Sequence, residues 1–178
     1  EEKDSFSDDE RRGIREQARQ VVSIIQKEQQ AAEVRLPELL KQIVEDAKEL
    51  LEADVVSLYQ YRRGRDEEFI TPPVMAGDLR FPGPEYMGGK ITRSSLPIQL
   101  VSLQEPYYAD DVTTDPFLAT IGPPPDEESS RPRFIEREEI RSTAGVLLRA
   151  GDEIVGVMFI NYRTPRTFTP ELRQEIAL

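Results

Sequence analysis

The chain contains no cysteine and no histidine among its 178 residues. Without cysteine there are no disulfides, no thiolate nucleophile and no iron–sulfur ligand set. Without histidine there is no Ser-His-Asp triad and no imidazole ligand to haem, and the two absences together exclude structural zinc of the usual kind. An enzyme built on this chain would work with carboxylates, Lys, Tyr or Ser alone, so the expectation is a non-enzyme without a cofactor. Long apolar runs are also missing, since no stretch approaches the roughly 18 residues that cross a bilayer. No charged-then-apolar leader is present, and the chain is expected to be cytoplasmic. Excess positive charge is absent too. A net charge of -11 opposes nucleic acid, whose binders need a basic face to displace counterions. The densest basic cluster, Arg62, Arg63 and Arg65, surrounds Gly64 and runs directly into Asp66, Glu67 and Glu68, the composition of a solvated turn.

What is present begins with helices. Ser7-Asp8-Asp9-Glu10 has the form of a capping box, with Ser at the N-cap and Glu reaching back. The helix that follows, to about Val34, carries Ile14, Ala18, Val21 and Ile25 at spacings of four, three and four, the a/d seam of a coiled coil. This seam is expected to serve either as a homodimer contact or as packing on its own domain. Leu36-Pro37-Glu38 opens a second helix, with Pro in its first turn. Its wider stripe, Leu39, Leu40, Ile43, Val44, Ala47, Leu50 and Leu51, suits packing on a sheet. The division is therefore residues 1–34 as a signalling or dimerisation helix and residues 35–178 as the domain proper. The chain lacks an initiator Met and stops within an apolar-faced helix, as expected of a piece of a longer polypeptide.

Beyond the helices the period falls to two. Val56, Leu58 and Gln60 alternate with Val55, Ser57, Tyr59 and Tyr61, a strand. A second strand from Phe69 to Gly77 is interrupted by Pro72-Pro73, which cannot donate to a ladder. Residues 78–93 form a Gly- and Pro-rich loop. Ser94 or Ser95 then caps a short helix, and a short strand follows near Tyr107. Residues 113–134, rich in Pro and acids, read as an irregular insertion with a helical turn at Pro116 to Ile121. Lys90 after Gly88-Gly89 lacks the first Gly and the preceding strand of a phosphate loop. Asp110, Asp111 and Asp115 lack the alternating, Gly-punctuated acids of a calcium loop.

The last third is the most ordered pattern. Val146-Leu147-Leu148-Arg149 and Ile154 to Asn161 flank Ala150-Gly151-Asp152-Glu153, giving two apolar strands around a turn. Thr169-Pro170-Glu171-Leu172 then starts a helix, with Thr at the N-cap, Pro at the first position and Glu at the positive end of the dipole. The segment IRSTAGVLLRAGDEIVGVMFINYRTPRTFTPEL resembles the C-terminal half of a GAF domain, the small-molecule-sensing and dimerising module of many signalling proteins. The resemblance extends back to about Leu36. It implies an α/β fold of the α+β type, with a central antiparallel sheet of five to six strands, helices on one face and roofing loops on the other. By position it places Tyr59, Thr143, Gly145, Phe159 and Asn161 on the sheet side of a ligand cavity, and Phe81, Tyr86, Tyr108, Asp110, Phe117 and Phe134 in its roof. Lacking cysteine, the chain departs from the branches of the family that attach a bilin or reduce free methionine sulfoxide. It also lacks the Asn-Lys-Phe-Asp-Glu motif of the cyclic-nucleotide branch. The resemblance thus implies a cytoplasmic sensor joined to an output domain such as a histidine kinase or a cyclase-like regulator. It would bind a small molecule noncovalently, or serve as a ligand-free dimerising strut.

Overall fold

A computed structural model describes residues 19, 21, 23, 27, 35–63, 68–83, 91, 95–121 and 133–176. The chain divides into two units, Glu1–Leu39 and Leu40–Leu178. In the first, the described residues 19, 21, 23, 27 and 35–39 are helical. Val21 of the expected seam is 54% exposed, whereas Ile14, Ala18 and Ile25 lie outside the described residues, as do the Ser7 capping box and Lys90.

The second unit is built on an antiparallel sheet of six strands: β1 (Val55–Arg62), β2 (Glu68–Phe69), β3 (Val74–Gly77), β4 (Tyr107–Ala109), β5 (Ser142–Ala150) and β6 (Glu153–Tyr162). Their order is β2-β1-β6-β5-β4, with β3 also paired to β1. β2 takes the far end of β1 at Tyr61 and Arg62, and β3 takes its start from Val55 to Leu58. Between them stand Pro72 and Pro73, so the single interrupted strand of the sequence becomes two short ones on the same edge. The β5–β6 hairpin is central, β5 pairing with β4 and β6 with β1. Its turn uses Gly151 at φ 61°, a left-handed conformation that costs a glycine nothing.

Register assigns the faces. On the first face lie Val56 and Leu58 of β1, Ala144 and Val146 of β5, and Met158, Ile160 and Tyr162 of β6, all buried. Helix α1 (residues 40–50) covers this face with Val44, and α5 (Pro170–Ile176) covers it with Ile176. Of the apolar stripe read in the sequence, Val44 and Leu51 are buried and Leu40 and Ala47 pack against the core, whereas Leu39, Ile43 and Leu50 are exposed; Thr169 caps α5 by accepting from the Leu172 N–H at 3.3 Å. Tyr162 closes the layer by donating its hydroxyl to the Leu51 carbonyl at 3.0 Å.

The opposite face carries Ser57, Tyr59 and Tyr61 of β1, Thr143, Gly145 and Leu147 of β5, and Val157, Phe159 and Asn161 of β6, in register with one another. Helix α2 (Leu96–Leu103) packs here on β5 and β6 and buries Leu100. A Cβ on Gly145 would stand 2.5 Å from Leu100 Cδ2, so glycine is what lets α2 come this close. Loops alone do not cover the second face: α2 shares it with them.

Candidate ligand-binding face

The aromatic part of the second face is assembled by β1, β2 and β6. Tyr59 makes edge-on contacts with Phe69 and Phe159, at 6.2 and 6.0 Å between ring centres. Burial pushes the Tyr59 hydroxyl up from its ordinary value of 10.0 to about 12, with the charge of Arg137 pulling the other way. Beside this cluster is a polar band. Thr143 donates to Asn161 Oδ1 at 2.8 Å, and Asn161 Nδ2 donates to the Val55 carbonyl at 3.2 Å, all fully buried.

Two short helices follow β4, and the first of them packs on the Tyr107 ring. Asp115 caps α3 (Pro116–Thr120) by accepting from the Leu118 N–H at 2.9 Å, and accepts from the Tyr107 hydroxyl at 2.5 Å, while Phe117 packs on the Tyr107 ring. That bond, the nearby charge and above all burial raise the Tyr107 hydroxyl far above its usual range. Arg133 ties the next helix, α4 (Phe134–Arg137), to α3 by donating to the carbonyls of Leu118 and Ile121. From the end of α4, Arg137 lies over the Phe134 ring and within electrostatic reach of Tyr59 on β1.

Just past α4, the fully buried Glu138 holds the rim together. Its carboxylate accepts from the backbone N–H of Arg80 at 2.7 Å and of Phe81 at 3.3 Å, and pairs with Arg163 at 3.4 Å and Arg137 at 3.6 Å. One acid therefore joins the loop after β3, the turn after α4 and the end of β6.

The expected site residues do not all meet. Tyr59, Thr143, Gly145, Phe159 and Asn161 share the second face; Phe117 packs on Tyr107 of that face, whereas the Phe134 ring lies under its neighbour Arg137. Phe81 is largely exposed at the rim. Tyr108 is on the wrong side for a roof residue: it pairs with Ala144, faces α5, and packs against Phe168 beneath the Arg173 guanidinium. Asp110 is exposed and uses its carboxylate on the Phe168 N–H at 3.0 Å, fixing the segment that enters α5. Tyr86 lies outside the described residues. Ser57, Arg137 and Glu138 were not singled out from the sequence. Ser57 was legible as the strand neighbour of Tyr59 with the same parity, whereas no pattern marked Arg137 or Glu138.

Comparison with known proteins settles the family. The family model for the GAF domain matches residues 35–177. The chain belongs to the GAF family. GAF domains are sensory and regulatory modules of signalling proteins. Solved structures share the fold at low identity. The GAF domain of a phosphoenolpyruvate-protein phosphotransferase from Coxiella burnetii is 19% identical with a TM-score of 0.57, covering 80% of this chain and 76% of that one. The GAF region of a putative membrane protein from Geobacter sulfurreducens is 12% identical with a TM-score of 0.58, covering 84% and 89%. A red/green cyanobacteriochrome in its green light-absorbing state is 15% identical with a TM-score of 0.56, covering 80% and 87%. No curated protein matches significantly. Among the described residues no helix is long and apolar enough to cross a membrane, and no group of His, Cys, Asp or Glu is placed to hold a metal ion.

Proposed function

We propose that this GAF domain is the sensory module of a multidomain cytoplasmic signalling protein and binds a small organic molecule noncovalently on the second face of its sheet. The observation that carries this reading is the composition of that face. The Tyr59–Phe69–Phe159 cluster borders a buried polar band of Ser57, Thr143 and Asn161, and ligand sites are mostly apolar walls with a few placed polar groups. A bilin would have to be held without a thioether here, since the chain has no cysteine. Binding would shift the α3–α4 cover and pass through the terminal helices to an output domain of the histidine kinase or cyclase-like kind. The chain would pair as a homodimer through Ile14, Ala18, Val21 and Ile25.

The rival reading is a dimerising strut with no ligand. It is favoured by the close seat of Leu100 on Gly145 and by the mutual bonding of Thr143 and Asn161, which fill and satisfy part of the face. Thermal-shift screening of a metabolite set separates the two. A ligand of the native state stabilises by about 2.7 kcal/mol at a hundredfold excess over its dissociation constant. At least one compound should raise the melting temperature, and the gain should vanish in Phe159→Ala measured against its own unliganded baseline. A broad screen without any shift favours the strut.

A further inference from the structure

Resting on the reading of the second face as a sensory surface, we propose that β4 and the segment up to Asp115 couple α3 to the segment that enters α5. A change at the sensing face would thereby reach the C-terminal helix. The first observation is alternation. Successive side chains of a strand point to opposite faces, and register sets Tyr107 opposite Gly145 on the second face and Tyr108 opposite Ala144 on the first. Two adjacent rings therefore belong to different cores. Tyr107 packs with the cluster of Leu100 and Phe159, and Tyr108 with that of Tyr162 and Phe168.

The second observation is that each side of β4 is fastened to a different helix. On the second face Tyr107 donates to Asp115 Oδ1 at 2.5 Å, and the same oxygen accepts the Leu118 N–H of α3 at 2.9 Å. The Phe117 ring lies 5.1 Å from that of Tyr107, centre to centre. A shift of α3 must carry Tyr107 with it or break this bond. On the first face Tyr108 meets Phe168 at 5.5 Å and lies 4.6 Å beneath the Arg173 guanidinium of α5. Asp110 accepts the Phe168 N–H on its carboxylate at 3.0 Å and the Arg166 N–H on its carbonyl at 3.4 Å. Arg173 completes the connection by donating Nε–H to the Phe168 carbonyl at 2.8 Å.

The third is the position of β4 in the sheet. It is three residues long and stands at the end of the strand order, paired among the described residues with β5 alone. β5 and β6 are held from both sides. A displacement of β4 therefore disturbs few ladder bonds, whereas the central hairpin stays fixed. Packed side chains and hydrogen bonds that run unbroken between two elements are what energetic coupling requires.

The test needs no ligand, which separates it from the metabolite screen. Native-state hydrogen exchange of the full 178-residue chain is read at Phe168 and Arg173, whose N–H groups bond to Asp110 and to the Thr169 carbonyl. Val157 and Ile160 of β6 report global opening, so a merely destabilised fold would speed all four amides alike. Phe117→Ala should speed Phe168 and Arg173 about tenfold relative to the β6 pair. Tyr107→Phe, which removes only the bond to Asp115, should act in the same direction and serves where Phe117→Ala does not fold. In a Tyr108→Ala background either substitution should add less than about twofold, because the link is already cut. Coupling is reciprocal, so Tyr108→Ala alone should speed exchange at Leu118 in α3. Phe168 and Arg173 that keep pace with β6 in both α3-side variants, or respond as strongly without Tyr108, would overturn the link. A metabolite screen without a hit, with the exchange coupling present, would leave the link standing and remove the sensory reading.

Discussion

Replacing Glu138 with Ala removes an acid that is fully buried and has four partners: the N–H groups of Arg80 and Phe81 at 2.7 and 3.3 Å, and the guanidiniums of Arg163 and Arg137 at 3.4 and 3.6 Å. Removing one member of a buried ion pair costs about 3–5 kcal/mol, because the other charge is left uncompensated. Two backbone donors would also lose their acceptor, at about 1–3 kcal/mol each where water cannot replace it. Part of that loss is recovered by water at the half-exposed rim, so the expected destabilisation is about 4 kcal/mol, dominated by the charge. For a chain of this size that corresponds to a fall in melting temperature of about 12 °C. The control is the next residue. Glu139 pairs with Arg80 at 2.9 Å, but its side chain is 63% exposed, so Glu139→Ala should cost no more than about 1 kcal/mol. Glu138→Gln keeps the shape and loses the charge, and should fall between the two. Urea unfolding of the three variants, compared by midpoint at a common slope, measures the differences. A loss below about 1 kcal/mol in Glu138→Ala would refute the view that this acid fastens the rim.

Four further outcomes are expected. Gly145→Ala would set a Cβ 2.5 Å from Leu100 and 2.9 Å from Phe159, destabilising by about 1–3 kcal/mol in thermal unfolding, and Leu100→Ala in the same chain should recover part of this. Tyr162→Phe removes the donor to the Leu51 carbonyl and should cost about 1–2 kcal/mol by urea titration. Because burial raises Tyr59 from 10.0 to about 12, its neutral form stabilises the fold below about pH 10, and that contribution is lost as pH climbs towards 12. Stability measured across this window should therefore decline less steeply in Tyr59→Phe. Finally, Val21→Glu combined with Ile25→Glu should convert a dimer to a monomer by light scattering; a monomeric unmodified chain would contradict the seam.

The helices and central strands were legible because their periods are set by burial on one side. Val44 and Leu51 fall on the buried side of a 3.6-residue repeat, and Ile154 to Asn161 could be read as a buried strand from composition alone. Tyr107 and Tyr108 show where this reading stops. In a strand of three residues the alternation has no preferred origin, and only the pairing of Tyr107 with Gly145 and of Tyr108 with Ala144 decides which ring faces the candidate site. Helix α4 is four residues long, too short for any period, and its position depends on Arg133 reaching across to the Leu118 and Ile121 carbonyls. Glu138 owes its significance to contacts 25 to 58 positions away, from Arg163 to Arg80, and Arg137 to its pairing with Glu138 and its charge at Tyr59. Nothing local in REEIRS could have announced them.

The central claim is that the second face of the sheet receives a ligand, and the most direct measurement is a crystal structure of the full chain purified from cells without denaturation or exhaustive dialysis. The account expects density not explained by protein beside the rings of Tyr59 and Phe159. Protein side chains packed to van der Waals contact across that space would contradict it.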